Sequence, residues 1–396
     1  MFKKPVVVLI AVFAAVALVA AACSKAEPTP VPLTLAVQVD GKASTYNSTF
    51  LAYFPNELTA RPGDTVQFKL VDTGEPHTVT FGTLADQALA AAAKAAAAPN
   101  APPGVGDAVP EMQKLPNLLP EGPGDAIQAA AQPCFLASGD PPASDACAKA
   151  QQTQPAFNGK QTFYNSGWLA PDQIFSVKLA DDIAPGTYSY FCLLHRSIMS
   201  GKVTVVAKSA SVATADQVKQ KGADQLAQLV KALQPAADQL KQATVDHAQA
   251  GNLSQDVFNG EVNEFGPKPI NIKVGGSVTW MVLGPHTIGF NVPQNAKGVR
   301  QAAPDGSVHI NGDVFAPAGG PGQPAPPANA PPPDPNAPPI LIDAGSWDGT
   351  GYHSSGAIIS LPPGPFFAYK LTFTKAGTYK YICQIHDGME AAVNVS

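Results

Sequence analysis

Gly186-Thr-Tyr-Ser-Tyr-Phe-Cys192-Leu-Leu-His195-Arg-Ser-Ile-Met199 decides the reading of this chain, because it returns near the C-terminus as Gly377-Thr-Tyr-Lys-Tyr-Ile-Cys383-Gln-Ile-His386-Asp-Gly-Met389. Alternation of side-chain character through each copy predicts a β-strand that leads into a short loop. That loop carries a thiol, an imidazole and a thioether. A second imidazole stands far upstream of each copy, in Pro76-His77-Thr78-Val79 and in Pro285-His286-Thr287-Ile288.

Two histidines, a cysteine and a weak, distant methionine are the ligands of a trigonal blue-copper site, and soft thiolate and thioether donors favour copper over magnesium or calcium. One Cys-x2-His alone is weak, since zinc uses similar spacings. The repetition, each time after Gly-Thr-Tyr-x-Tyr and each time with an upstream Pro-His-Thr, favours copper over zinc or a metal-free structural role. The candidate ligands are His77, Cys192, His195 and Met199, then His286, Cys383, His386 and Met389. Tyr188 and Tyr190 share a strand face with Cys192, and their expected role is core packing and hydrogen bonding.

On these residues the two segments resemble the cupredoxin family, the plastocyanin, amicyanin and azurin group of type 1 copper proteins. The resemblance implies a mainly β chain: two Greek-key cupredoxin β-sandwiches, each with copper at one end. The C-terminal spacing from His386 to Met389 is similar to that of amicyanin. The N-terminal loop, with three residues between His195 and Met199, departs from it. By resemblance, His195 and His386 lie near the surface and form electron ports, with Leu194, Ile198 and Ile385 beside them.

Residues 1–22 read as a signal peptide: Lys3 and Lys4 precede an apolar run from Val6 to Ala22. Cys23 follows Ala20-Ala21-Ala22, which resembles a bacterial lipobox, although Ala20 stands where leucine is more usual. Lipidation at Cys23 and an uncleaved anchor are the alternatives, and the run is short for a membrane span. Either places the remainder outside the cytoplasm, because the positive flank stays inside. Residues 23–32 form a proline-rich tether.

The formal net charge is −5, and no basic block occurs, so nucleic-acid binding is unsupported. Forty prolines in 396 residues are about twice the usual ~5%, which indicates long irregular segments. Of five cysteines, lipid would take Cys23 and copper Cys192 and Cys383. Cys134 and Cys147, near in sequence in an exported chain, are expected to form a local disulfide rather than two free thiols.

The domain reading places the first sandwich at 33–207, interrupted by an insertion at about 82–160. Within it, Leu84 to Ala98 is alanine-rich and reads as helix. The insertion is either a cover for the copper end or a tolerated surface excursion. Residues 208–253 read as a helical linker opened by a Thr214-x-x-Gln217 capping box. Pro235 is expected to end or kink the first helix, with a second running to Ala250. The second sandwich spans 254–396, with a proline-rich insertion at about 294–340. Residues 315–340 of it are expected to be disordered, being too poor in bulky side chains to offset ordering entropy.

The function implied is single-electron transfer between redox donor and acceptor proteins of the cell envelope, by a protein held to the membrane through its N-terminal lipid. It is not expected to be an enzyme. A copper storage or delivery protein is the alternative. A multicopper oxidase or nitrite reductase is a further one, for which the sequence lacks the His-x-His pairs. The remaining histidines, His247, His309 and His353, are expected on the surface or in loops.

Overall fold

The computed structural model describes residues 30–396 apart from 102–103, 117, 119–124, 127–130, 140–152, 172, 255, 303–307, 326–336 and 363. The signal peptide, Cys23, Cys147 and the middle of the proline-rich insertion lie outside the described residues. Among the described residues no helix is long and apolar enough to cross a membrane.

The alternating strands of the first module close into two sheets. One runs in the order Ile174–Lys178, Thr65–Leu70, Thr34–Val39, Tyr53–Phe54. The other runs Glu57–Ala60, Arg196–Val205, Gly186–Cys192, Thr80–Phe81, Phe163–Asn165, Cys134–Leu136. Inward residues alternate as read: Val66, Phe68 and Leu70 are buried, as are Leu35, Val37 and Val39. Phe68 and Tyr190 meet edge-on with centroids 5.0 Å apart, which joins the two faces. Tyr188 reaches back to the Ala184 carbonyl at 2.8 Å, and in the second module Tyr379 does the same to Lys375 at 2.9 Å. The expected packing role of these tyrosines therefore holds.

The second module repeats the plan. Its larger sheet contains Gly260–Gly266, Ala248–Leu253, Ser277–Val282, Phe367–Phe373 and Ile340–Trp347. Its smaller sheet contains Ile270–Ile272, Glu390–Val395, Gly377–Ile382, Gly289–Phe290 and His353–Ser354. Trp280 packs between the sheets, 5.4 Å from Tyr381 between ring centroids.

Pro32–Ser396 forms one compact unit. Strand Ser48–Phe50, sequentially part of the first module, joins the edge of the second module's sheet, with Phe50 opposite Gly260 and Ser48 opposite Val262. Asp125–Ala126 from the first insertion pairs with Ile310 and Asn311 of the second. Arg300 binds the Asp72 carboxylate and the Leu169 carbonyl across the same junction. The first insertion also sends Met112, Leu115 and Leu118 into the second module's core cluster, so this described part of it braces the junction.

The linker forms one long helix, Ala215–Leu240, opened by the expected capping box at Thr214 and Gln217. It runs through Pro235 instead of ending there. The missing backbone bond is outweighed by burial of Leu233, Ala236, Ala237 and Leu240 against Phe50 and Phe54 on one side and Val257 and Val262 on the other. The second helix expected to reach Ala250 does not form. Ala248–Leu253 is instead a central strand, pairing in parallel with Trp280 to Val282. His247 is exposed, as expected. His309 and His353 correct the surface expectation. Both are buried in strands, and His353 is 2.9 Å from the Tyr369 hydroxyl. The alanine-rich helix runs Thr83–Ala96. The described part of the proline-rich segment packs in place, with Ala318 bridged to Ser354.

Candidate metal centres

Each cysteine strand ends where its loop turns the next histidine back on the thiol. In the first module His77, Cys192 and His195 place their donor atoms within 4.8 Å of one another, and in the second His286, Cys383 and His386 do so. His77 Nδ1 and His195 Nδ1 are 3.1 Å apart, and Cys192 Sγ is 3.5 Å from His195 Nδ1. His286 Nδ1 and His386 Nδ1 are also 3.1 Å apart, and Cys383 Sγ lies 3.9 and 3.6 Å from them. Met199 and Met389 are buried, each in the same core cluster as its module's cysteine. The structure thus gathers the two histidines and the cysteine of each sequence-predicted set.

The Pro-His-Thr repeat has a second purpose that its spacing did not reveal. Thr78 Oγ1 accepts the Leu193 amide at 2.8 Å, and Thr287 Oγ1 accepts the Gln384 amide at 2.6 Å. The amides of Thr78 and Thr287 point at Cys192 Sγ and Cys383 Sγ, at 3.4 and 3.5 Å. Each threonine therefore clamps the upstream histidine segment to the cysteine loop and gives the sulfur a backbone hydrogen-bond donor. The Ser-Gly repeat completes the frame: Ser166 Oγ accepts the Val79 amide at 2.8 Å and Ser355 Oγ the Ile288 amide at 2.9 Å.

All four imidazoles turn Nδ1 inward, so each Nε2 needs a partner. His77 Nε2 lies 2.9 Å from Asp40 Oδ2. His286 Nε2 lies 3.1 Å from the Leu283 carbonyl. His195 Nε2 and His386 Nε2 share one group: they lie 3.1 Å from Glu75 Oε1 and 2.8 Å from Glu75 Oε2. Asp40 and Glu75 were missed in the sequence. For Glu75 a signal existed: Glu75-Pro76-His77 stands where the second module has Gly284-Pro285-His286.

The two downstream histidines are not surface ports. The His386 side chain is 0% exposed and that of His195 10%. The reason is docking. The Thr73 carbonyl accepts the Asp387 amide at 3.2 Å, and Gly74, at φ +95°, lies so close that a Cβ there would come 2.5 Å from the Ile385 carbonyl. The loop of one module thereby lies over the histidine of the other.

Burial opposes charge at every one of these groups, and the pairs overcome it at all but His286. The thiols of Cys192 and Cys383 are held well below the usual range despite burial, chiefly by their histidines. Burial lowers His195, but the Cys192 thiolate and then Glu75 push it up to about 10; His386 rises well above its ordinary value for the same reasons. Burial pulls His286 down, and no carboxylate answers it. Burial likewise lowers His77, but Asp40 and Cys192 raise it overall.

This asymmetry has a measurable result. Asp40→Asn replaces an acceptor facing His77 Nε2 by a donor. The expected outcome is a loss of roughly 10–100-fold in copper affinity at the first centre with the second unchanged, read by competition with a chelator.

Between the centres lies a cavity of about 170 Å³, lined by Glu75, Glu261, His195 and apolar side chains including Leu51, Leu118 and Phe315. Glu261 is buried there, and its Oε2 has no hydrogen-bond partner. Burial first, and then the nearby Glu75, push it up to about 7. A carboxyl raised in the folded state stabilises fully below its unfolded pKa and loses that contribution as pH climbs through the folded one. Stability should therefore fall by roughly 3 kcal/mol between about pH 4.5 and 7 from this group. Glu261→Gln should flatten that slope in denaturant titrations across the window.

Fold and site together define a mainly β protein of packed sheets with two His–Cys–His clusters that could hold a metal ion. No protein-family model matches the chain, and no curated protein matches it. Among solved structures it is similar to cupredoxins. Reduced auracyanin from Roseiflexus castenholzii is 18% identical, covering 45% of this chain and 99% of that one, with a TM-score of 0.23. Auracyanin A, a "blue" copper protein from Chloroflexus aurantiacus, is 18% identical, covering 44% and 100%, with a TM-score of 0.21. An oxidised amicyanin variant is 14% identical, covering 44% and 82%, with a TM-score of 0.20.

Proposed function

We propose that this chain is an exported, lipid-anchored blue-copper protein that passes single electrons between redox proteins of the cell envelope. One observation carries the reading: in each module a low-pKa thiolate and two inward Nδ1 atoms converge within 4.8 Å. That donor set fits copper, being soft, compact and trigonal, with a buried methionine in the same core cluster. His77, Cys192, His195 and Met199 would hold one ion, and His286, Cys383, His386 and Met389 the other. Copper bound there supplies a one-electron couple.

The protein's own contribution is a fixed frame. The threonine clamps, the serine supports and the Nε2 partners hold the donors in one arrangement, which keeps the reorganisation accompanying a change of charge small. Water is largely excluded, since Cys192, Cys383, His77, His286 and His386 are all buried. Export is supported by the N-terminal sequence and by Cys134, which is disulfide-bonded as secreted proteins allow. Its expected partner, Cys147, lies outside the described residues.

The test is stoichiometric copper loading of the full chain followed by visible and EPR spectra. Two intense thiolate-to-copper bands that bleach and return with a mild reductant and oxidant are expected. Colourless, readily exchanged Cu(I) would instead indicate delivery. An added type 2 signal with oxygen or nitrite turnover would indicate an oxidase or reductase.

A further inference from the structure

The shared partner of His195 and His386 is unlike the other Nε2 partners. Each of those serves one histidine of its own module, whereas Glu75 serves one from each. Its two oxygens are divided, Oε1 to His195 and Oε2 to His386. Both imidazoles turn their inner nitrogen toward a cysteine, so the chain of contacts runs from Cys192 through His195, Glu75 and His386 to Cys383. Every member is held in place. Gly74 is wedged against the Ile385 carbonyl, and the Glu75 amide donates to Thr73 Oγ1 at 3.3 Å. Thr73 in turn donates to Asp40 Oδ2 at 2.7 Å, which ties the loop to the other histidine of the first centre.

We propose that Glu75 couples the two metal centres into one unit, so that the charge on either is felt at the other. This rests on the copper reading given above. The physical reason is competition for one carboxylate. A centre that gains positive charge polarises its imidazole, strengthens the Nε2–H donation to Glu75 and draws carboxylate charge toward itself. The other imidazole then holds a weaker acceptor, and its own centre is harder to oxidise. Burial preserves this effect, because screening by water is weak where the Glu75 side chain is 7% exposed. Such coupling is reciprocal: each centre shifts the other by the same factor. The same contacts offer a path for internal exchange. One centre loses an electron, the other gains it, and no further reagent is consumed. Glu75 is a positioning residue in this scheme, since it acts through His195 and His386.

The experiment compares midpoint potentials in the full chain, in Cys192→Ser and Cys383→Ser, and in each with Glu75→Gln. Glutamine keeps the shape, but its amide group can accept from only one of the two imidazoles. In the unsubstituted protein the two one-electron steps should be spread further than the single-centre variants imply, by a factor of about ten in the disproportionation of half-reduced protein into its fully oxidised and fully reduced forms, or about 59 mV. Glu75→Gln should shift both centres and remove most of that extra spread. Ring nitrogen NMR of the metal-free protein provides a readout independent of copper: both His195 and His386 signals should move in the variant. A shift at one centre only, or an unchanged spread, overturns the proposal while leaving the copper reading intact. Failure of the unsubstituted chain to form any blue centre overturns that reading and the coupling with it.

Discussion

Cys383→Ser should abolish one blue centre and leave the other's blue band in place, and Cys192→Ser should do the reverse. The thiolate is the only anionic, soft donor in each set, and its low pKa is a property of the site itself. A serine hydroxyl stays protonated at neutral pH and offers a hard oxygen, which suits copper poorly. Loss of an outer-sphere partner alone costs about 10–100-fold in metal affinity, so loss of this ligand should cost roughly 100-fold or more. The intense charge-transfer band disappears with the sulfur, whatever metal remains. Copper content and absorbance should therefore fall by one centre in each single variant and by both in the double. Survival of both bands in either single variant would show that the assigned cysteine is not a ligand. The fold should tolerate the change, since serine is nearly isosteric and the Thr78 and Thr287 amides still find an acceptor.

Gly251→Ala should disable the second centre while the first keeps its blue band, although residue 251 is no ligand. Gly251 sits at a register shift in strand Ala248–Leu253 with φ +76°. A Cβ there would overlap His286 Nε2 and come 2.4 Å from the Leu283 carbonyl, the acceptor of that same nitrogen. The left-handed backbone costs an alanine about 1–2 kcal/mol, and the overlap adds roughly 1–3 kcal/mol of overpacking. His286 must rotate or the strand must move, and either takes Nδ1 away from Cys383. The expected result is loss of about 2–5 kcal/mol in denaturant unfolding and of one blue band. An alanine variant that keeps both bands would show that the strand yields without disturbing His286.

The first module answers the same problem differently. Val39 and Ala250 occupy matching places, since each carbonyl accepts the amide that follows the neighbouring parallel strand, Val71 and Leu283. The next residue is Asp40 in one case and Gly251 in the other, both with positive φ. One module fills the space behind its upstream histidine with a carboxylate, and the other leaves it to the ring.

What the sequence made legible follows from the range of the interactions involved. The ligands, the cysteine strands and the capping box at Thr214 are local patterns, complete within a few residues. Strand Ala248–Leu253 was misread because its alanines favour a helix and Gly251 looks like a helix end. Burial between neighbouring strands overrides that propensity. Phe50 has an apolar strand signal but no signal for the partner it finds at Gly260. Asp40 carries no motif and Glu75 only its place beside Pro76-His77; the fold of the first module brings Asp40 to His77, and the junction brings Glu75 to His195 and His386. His353 shows the converse, a polar residue that the sequence places outside and the Tyr369 hydroxyl accommodates within.

The strand Ser48–Phe50 has a consequence for biogenesis. It is synthesised early but belongs to a sheet whose other members come some two hundred residues later, so that edge stays unpaired during translation of everything between. Contacts of such long sequence separation form slowly and leave apolar surface waiting. The last pocket closes only when the Thr73–Glu75 loop settles over His386. Burial of His386 thus waits on the meeting of two stretches far apart in the chain.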